Sequence, residues 1–242
     1  VRLTRPEIHL IAIKDPKLMK QLSLPSDVAE NDVRGIIEWA VSAVEPGRLI
    51  VSTSFGPSGM VNLHVLAEVA PEVPVVFIDT LYHFKETLEL AELARTHYGL
   101  NLKTYRAAES REAFEREHGE RLWERDIDRF HYLTKVEPMQ RALEGVEGWV
   151  TGRRRDQSSS RSELPIVEIG EHLKVNPVAA WGRGDVWRFI LDNDVPYNPL
   201  HDMGYASIGD EPLTTPVHLG EDERAGRWRG QARVECGLHD LT

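Results

Sequence analysis

One thiol is available for chemistry in the 242 residues: Cys236, followed directly by Gly237 and, three residues on, by His239. With no second cysteine it cannot form an internal disulfide, so any redox reaction it begins must be finished by a thiol from another molecule. A single cysteine is most often a small buried apolar residue. The neighbours Glu235, Gly237, His239 and Asp240 are not a core pattern, however, and Cys236 reads as a functional thiol able to swing onto a bound substrate.

The charges suggest what that substrate carries. The formal net charge is −10, from 39 acidic and 29 basic residues, which disfavours nonspecific nucleic-acid binding. Arginines nevertheless gather at Arg153, Arg154, Arg155 and Arg161, and again at Arg224, Arg227, Arg229 and Arg233. Two such clusters in an acidic chain point to a small, highly charged anion. A third signal agrees: Ser54-Phe55-Gly56-Pro57-Ser58-Gly59, between an apolar strand and a helix, presents N–H groups and hydroxyls to an anion at a helix N-terminus. The segment lacks the Gly-Lys-Ser/Thr ending of a Walker loop and is not the dinucleotide fingerprint.

The elements that must position these groups follow from periodicity. Asp32 is a plausible N-cap for a helix over Val33 to Val44. Arg48 to Ser52 reads as a buried strand, with a helix from Met60 to Val69 after the Ser/Gly turn; Val75 to Ile78, Phe84 to Tyr98 and Leu102 to Tyr105 repeat the order strand, helix, strand. Such alternation implies βαβ units around a parallel sheet, with ligands beyond the carboxyl ends of the strands, where Ser54, Asp79 and Thr80 lie. Thr134 to Leu143 reads as a helix, Trp149 to Thr151 as a strand, and Arg153 to Arg161 as a polar loop. Pro165 to Ile169 and Leu173 to Pro177 read as strands, and Asp185 to Asp192 as a short helix. The organisation expected is a helical N-terminal extension (1–46), a nucleotide-binding α/β domain (47–200) and a mobile or irregularly packed C-terminal tail (201–242). Hydrophobic content of 41% and charged content of 28% are those of a globular protein. No apolar run approaches the roughly 20 residues that span a bilayer, and no signal-peptide layout is seen, so no membrane association and a cytoplasmic location are expected.

Taken in order, Ser-Phe-Gly after the first strand, Asp79-Thr80 after the second, Lys135-Val136-Glu137-Pro138-Met139, Gly152 to Ser158, Gly204 to Gly209 and Glu235-Cys236-Gly237-Leu238-His239 resemble the assimilatory sulfonucleotide reductases. The resemblance runs from about Arg48 to His239 and implies a Rossmann-like, adenine nucleotide alpha-hydrolase-like fold. It implies that Cys236 attacks the sulfate sulfur of the nucleotide, and that thioredoxin or glutaredoxin then releases sulfite from the S-sulfocysteine. Lys135, Arg154, Arg161, Arg224 and Arg227 would supply fixed cations, with Arg155 beside them, and His239 would position groups or transfer a proton. Ser52, Ser54, Gly56 and Ser58 would face phosphates or ribose, Asp79 and Thr80 would flank the adenosine, and Gln157 and Ser158 would complete the loop, unless Ser158 to Ser160 is simple turn chemistry. A homo-oligomer is expected from the same likeness.

Cluster-bearing members place cysteine pairs where this chain has Phe130-His131 and, later, Asp210 and Leu213. One cysteine cannot build a four-thiolate iron–sulfur cluster, so no resident cofactor or metal is expected. Lack of the cluster, and Gly59-Met60 where cluster-bearing relatives carry an acidic pair, favour the 3′-phosphorylated nucleotide. The stretch from Asn176 to Arg227 resembles the cluster-bearing branch, which keeps a cluster-free adenylyl-sulfate reductase open. An adenylyl-transferring relative, such as the small subunit of sulfate adenylyltransferase, and a binding module without turnover are the other readings.

Overall fold

The computed structural model describes residues 22–218, 220–229 and 237–240; Cys236, Arg233 and the beginning of the expected N-terminal extension lie outside them. The first helix among the described residues, α1 (Val33–Ser42), starts where a side chain can cap it, because Asp32 Oδ1 accepts from the Gly35 N–H at 3.0 Å.

Five strands follow the apolar runs: β1 (Leu49–Thr53), β2 (Val75–Ile78), β3 (Leu102–Tyr105), β4 (Gly148–Val150) and β6 (Leu173–Val175). They pair in parallel, and β5 (Val167–Ile169) joins β6 antiparallel at one edge, giving the order β3-β2-β1-β4-β6-β5. Residues alternate across this sheet. Val51, Val75, Phe77 and Val175 join one core with Ile36, Ile37, Leu63 and Leu66, while Ile50, Val76 and Trp149 join another with Met139 and Leu143. Burying each such side chain is worth about 1.5–3 kcal/mol, and burial on both faces is why β1, β2 and β4 lack polar alternation.

After β1 the chain builds outward through β2 and β3, then returns to place β4 on the other side of β1. A crevice opens at that reversal, between the loops leaving β1 and β4. Helix α2 (Pro57–Val69) lines one side of it. Its start is earlier than the sequence suggested, because Gly56 takes the extended cap conformation and Pro57 supplies a ready-made φ at the first helical position. Gly-Pro-Ser-Gly is thus a helical turn rather than a loop.

Helix α3 (Lys85–Tyr98) ends at Gly99 with φ +63°. Beyond β3, three short helices that periodicity did not reveal, α4 (Arg111–His118), α5 (Leu122–Arg125) and α6 (Ile127–His131), wrap an aromatic core of Tyr82, Phe114, Trp123 and Phe130. The expected Thr134–Leu143 helix is two structures: a π-helical turn over Tyr132–Val136 and α7 (Glu137–Leu143). Pro138 gives the reason, since its ring would clash with the Thr134 carbonyl and it has no N–H to offer; the ladder slips by one residue and Glu137 N–H reaches Tyr132 O.

Helix α8 (Arg183–Asp192) begins two residues before the expected Asp185. The described residues after it pack irregularly. Asn198 and Thr87 are hydrogen-bonded at 3.1 Å, Glu211 N–H donates to Tyr82 O, and Trp228 N–H donates to Leu213 O. Among the described residues, no helix is long and apolar enough to cross a membrane.

Candidate active site

The β1–α2 turn is held from beneath. Phe55 adopts φ +58°, a left-handed conformation costly for a bulky residue, and it is kept there by burial against Phe77 (ring centroids 5.1 Å) and by its N–H donating to Thr53 Oγ1 at 2.8 Å. The turn is thereby fixed with the free N–H groups of α2 facing the crevice. Across it, Asn62 Nδ2 donates to Thr151 O at 3.0 Å, and Gly152 lies so close to α2 that a Cβ would stand 3.0 Å from Gly59 N. The two loops form one rigid floor.

The segment read as a polar loop carries two buried arginines. Arg154 is only 2% exposed. Its Nε donates to Asp156 at 2.8 Å, one terminal nitrogen donates to Ser58 Oγ and the other donates to Glu223 Oε2 at 2.7 Å. Gln157 Oε1 accepts from both Arg154 N–H and the Arg161 guanidinium. Arg153 is tied to Glu168. Such burial requires these acceptors, since a guanidinium stripped of water and counter-charge costs several kcal/mol.

Lys135 projects from the π turn and pairs with Asp210, whose side chain is fully buried. His131 Nε2 lies 3.9 Å from the same carboxylate and accepts from Trp228 Nε1 at 3.3 Å. Burial, then Lys135, pushes His131 down to about 3, so its imidazole is neutral. Despite its burial, the Asp210 carboxyl is held well below the usual carboxylate range by Lys135, His83 and Arg227. Trp228 also carries the later cations: the Arg224 and Arg227 guanidinium carbons lie 5.4 and 4.7 Å from its ring centre.

The C-terminal segment enters the same cleft. The His239 ring stacks on Trp149 (5.5 Å, 21°), and its backbone carbonyl accepts from Lys174 Nζ at 2.9 Å. Lys174, 1% exposed, stands beside Trp149 across the β4–β6 register with its ammonium 4.7 Å from the indole centre. Trp149 Nε1 in turn donates to Ser52 Oγ at 2.7 Å. Burial first, and then Arg153, Arg161, Lys174 and Arg224, lower the His239 imidazole well below its ordinary range. It is a neutral ring whose buried Nδ1 has no hydrogen-bond partner among the described residues.

One cleft of about 230 Å³ gathers most of the expected residues: Ser52, Ser54, Gly56, Ser58, Thr80, Lys135, Arg154, Gln157, Arg161, Arg224, Arg227 and His239. Three expected residues do not line it. Asp79 spends its carboxylate on Leu81 N–H (3.0 Å) and Arg106 (2.6 Å). Arg155 turns away to Leu164 O and Glu30, and Ser158 Oγ meets Ser160 Oγ at 2.9 Å, the turn chemistry left open above. Cys236 lies outside the described residues but is one peptide bond from Gly237, which precedes the Leu238–Asp240 turn. The sequence reading named Arg153 only as part of the arginine run and passed over His83, Trp228, Glu223 and the Trp149–Lys174 pair, for which no signal was present.

A cleft of cations at the switch point of a mostly parallel sheet, beside a helix N-terminus, defines the adenine nucleotide alpha-hydrolase-like class of fold. Comparison with known proteins narrows this. The phosphoadenosine phosphosulfate reductase domain profile matches residues 48–216, and the chain belongs to that family of sulfonucleotide reductases. A probable phosphoadenosine phosphosulfate reductase of Schizosaccharomyces pombe is 43% identical over 226 residues, covering 91% of this chain and 82% of that one. Adenosine 5′-phosphosulfate reductase 1 of Bacillus subtilis is 39% identical over 223 residues, covering 90% and 95%. The crystal structure of phosphoadenylyl-sulfate reductase from Candida auris, a phosphate complex, superimposes with a TM-score of 0.70 at 34% identity, covering 89% of this chain and 99% of that one.

Proposed function

We propose that the protein reduces 3′-phosphoadenylyl sulfate to sulfite and adenosine 3′,5′-bisphosphate, with Cys236 as the sulfur carrier and reduced thioredoxin as the electron donor. The Cys236 thiolate attacks the sulfate sulfur, the sulfur–oxygen bond to the nucleotide phosphate breaks, and that phosphate leaves with the electron pair. An S-sulfocysteine remains. A thiolate of thioredoxin then attacks Cys236 Sγ and expels sulfite; its second thiol closes a disulfide and returns the Cys236 thiolate, so the two electrons come from the external dithiol. A single cysteine suits this route, and it cannot ligate an iron–sulfur cluster, so none takes part.

The observation that carries the reading is the gathering of the phosphate turn, Lys135, Arg154, Arg161, Arg224 and Arg227 with the segment that follows Cys236 in one cleft. These cations would bind the phosphosulfate and favour both the thiolate and the leaving phosphate. His239, neutral and beside them, would position or relay a proton. Adenylyl sulfate is the second reading, favoured by the Bacillus subtilis relative. Replacing Cys236 with serine is expected to abolish nucleotide-dependent sulfite release. Intact mass after adding 3′-phosphoadenylyl sulfate without thioredoxin should show a sulfo adduct on the unaltered protein alone. Sulfite release by the serine variant would refute the mechanism, and equal kcat/KM for the two nucleotides would refute the substrate.

A further inference from the structure

Only two carboxylates line the cleft among the described residues, Asp210 and Glu223. Asp210 is buried and spent on Lys135. Glu223 is different. Its side chain is 16% exposed, it arrives from 69 residues away, and it sits on the turn that also delivers Arg224 and Arg227. A second tie braces this turn, with both carboxylate oxygens of Glu221 accepting from Arg229 at 2.8 and 2.9 Å. Arg154 is also held by Asp156, two residues on, and by Ser58 at the start of α2, which leaves one terminal nitrogen for Glu223.

A negative side chain in a polyanion site opposes binding unless it is doing something in the empty protein. Arg154 supplies the reason: a buried guanidinium needs a second anionic acceptor whether or not substrate is present. Carboxylate and phosphate oxygens meet a guanidinium nitrogen with the same geometry and similar strength. Resting on the sulfonucleotide reading above, we propose that the Glu223 carboxylate is an internal stand-in for an anionic oxygen of the substrate on Arg154, and that an arriving phosphate or sulfate group displaces it. Glu223 is then an affinity-setting residue. While it occupies Arg154 the site is closed to ligand, and a site closed nine-tenths of the time taxes affinity about tenfold.

Glu223→Gln keeps the shape and an oxygen acceptor but removes the charge that competes. Titration calorimetry with adenosine 3′,5′-bisphosphate is expected to show the variant binding about five- to tenfold tighter than the unaltered protein. The ligand-free variant is expected to melt at a lower temperature, because Arg154 has lost a counter-charge. Opposite movement of affinity and melting temperature is the signature. Weaker or equal binding by the variant would overturn the proposal and make Glu223 a brace that holds Arg154 for substrate. If the unaltered protein does not bind the bisphosphate, the sulfonucleotide reading itself fails and takes this one with it.

Discussion

Asp210 shows how much a single buried carboxylate can be asked to hold. It neutralises Lys135, lies 3.9 Å from His131, and is further stabilised as an anion by His83 and Arg227. Asp210→Asn removes the carboxylate that pairs with Lys135, and breaking a buried pair from one side costs about 3–5 kcal/mol. Urea denaturation should register that loss, and kcat/KM should fall by about 10²-fold as Lys135 leaves its place; a variant within 1 kcal/mol of the parent would show that the pair is not a linchpin. At this scale the sequence was legible through its motifs, since Lys135, Arg154 and His239 were picked out by the family resemblance and line the one cleft. It was silent on Glu223, Trp149 and Lys174, because each matters only through a neighbour far along the chain, and no periodicity records that approach.

Two glycines test how the elements are set against each other. At Gly152 a Cβ would press on the backbone of Ser58 and Gly59, so Gly152→Ala must push the β4 loop away from α2. Overpacking of this kind costs about 1–3 kcal/mol, and both melting temperature and nucleotide affinity should drop. At Gly209 the added carbon would meet the tip of the Arg227 side chain, a group that can swing aside. Gly209→Ala is therefore expected to leave the melting temperature within about 2 °C while raising KM several-fold; the reverse ranking of the two variants would contradict this account of the cleft. The strand–helix order was readable because doubly buried strands are continuous apolar runs, as in Leu49–Ile50–Val51 and Val75–Val76–Phe77. The π turn was not, since Thr134 to Leu143 has helical periodicity and the slip is imposed by Pro138 alone.

Over the whole molecule, the buried histidines set the response to acid. His131 falls from 6.5 to about 3, and His83, His201 and His239 are also lowered, each chiefly by burial. Between pH 3 and 6.5 the unfolded chain binds a proton at His131 that the folded one refuses, so stability rises with pH across that window and is lost on acidification. Asp210 acts in the same sense at lower pH, its depressed pKa contributing fully above the ordinary carboxylate range and fading in stronger acid. From pH 7.5 to 5.5, His131 should cost about 1.4 kcal/mol, and His131→Gln should flatten the slope of stability against pH by that amount; an unchanged slope would mean that His131 is not the neutral, buried base described. The chain's net charge of −10 hid this behaviour, because bulk composition says nothing about which imidazoles lose water. One further consequence follows from the ring of Trp149, with a lysine ammonium near its face and the His239 imidazole stacked on it. Indole emission responds to just such neighbours, so in a variant that keeps Trp149 as its one indole of six, emission would report whether the Leu238–Asp240 turn is seated, without any dye.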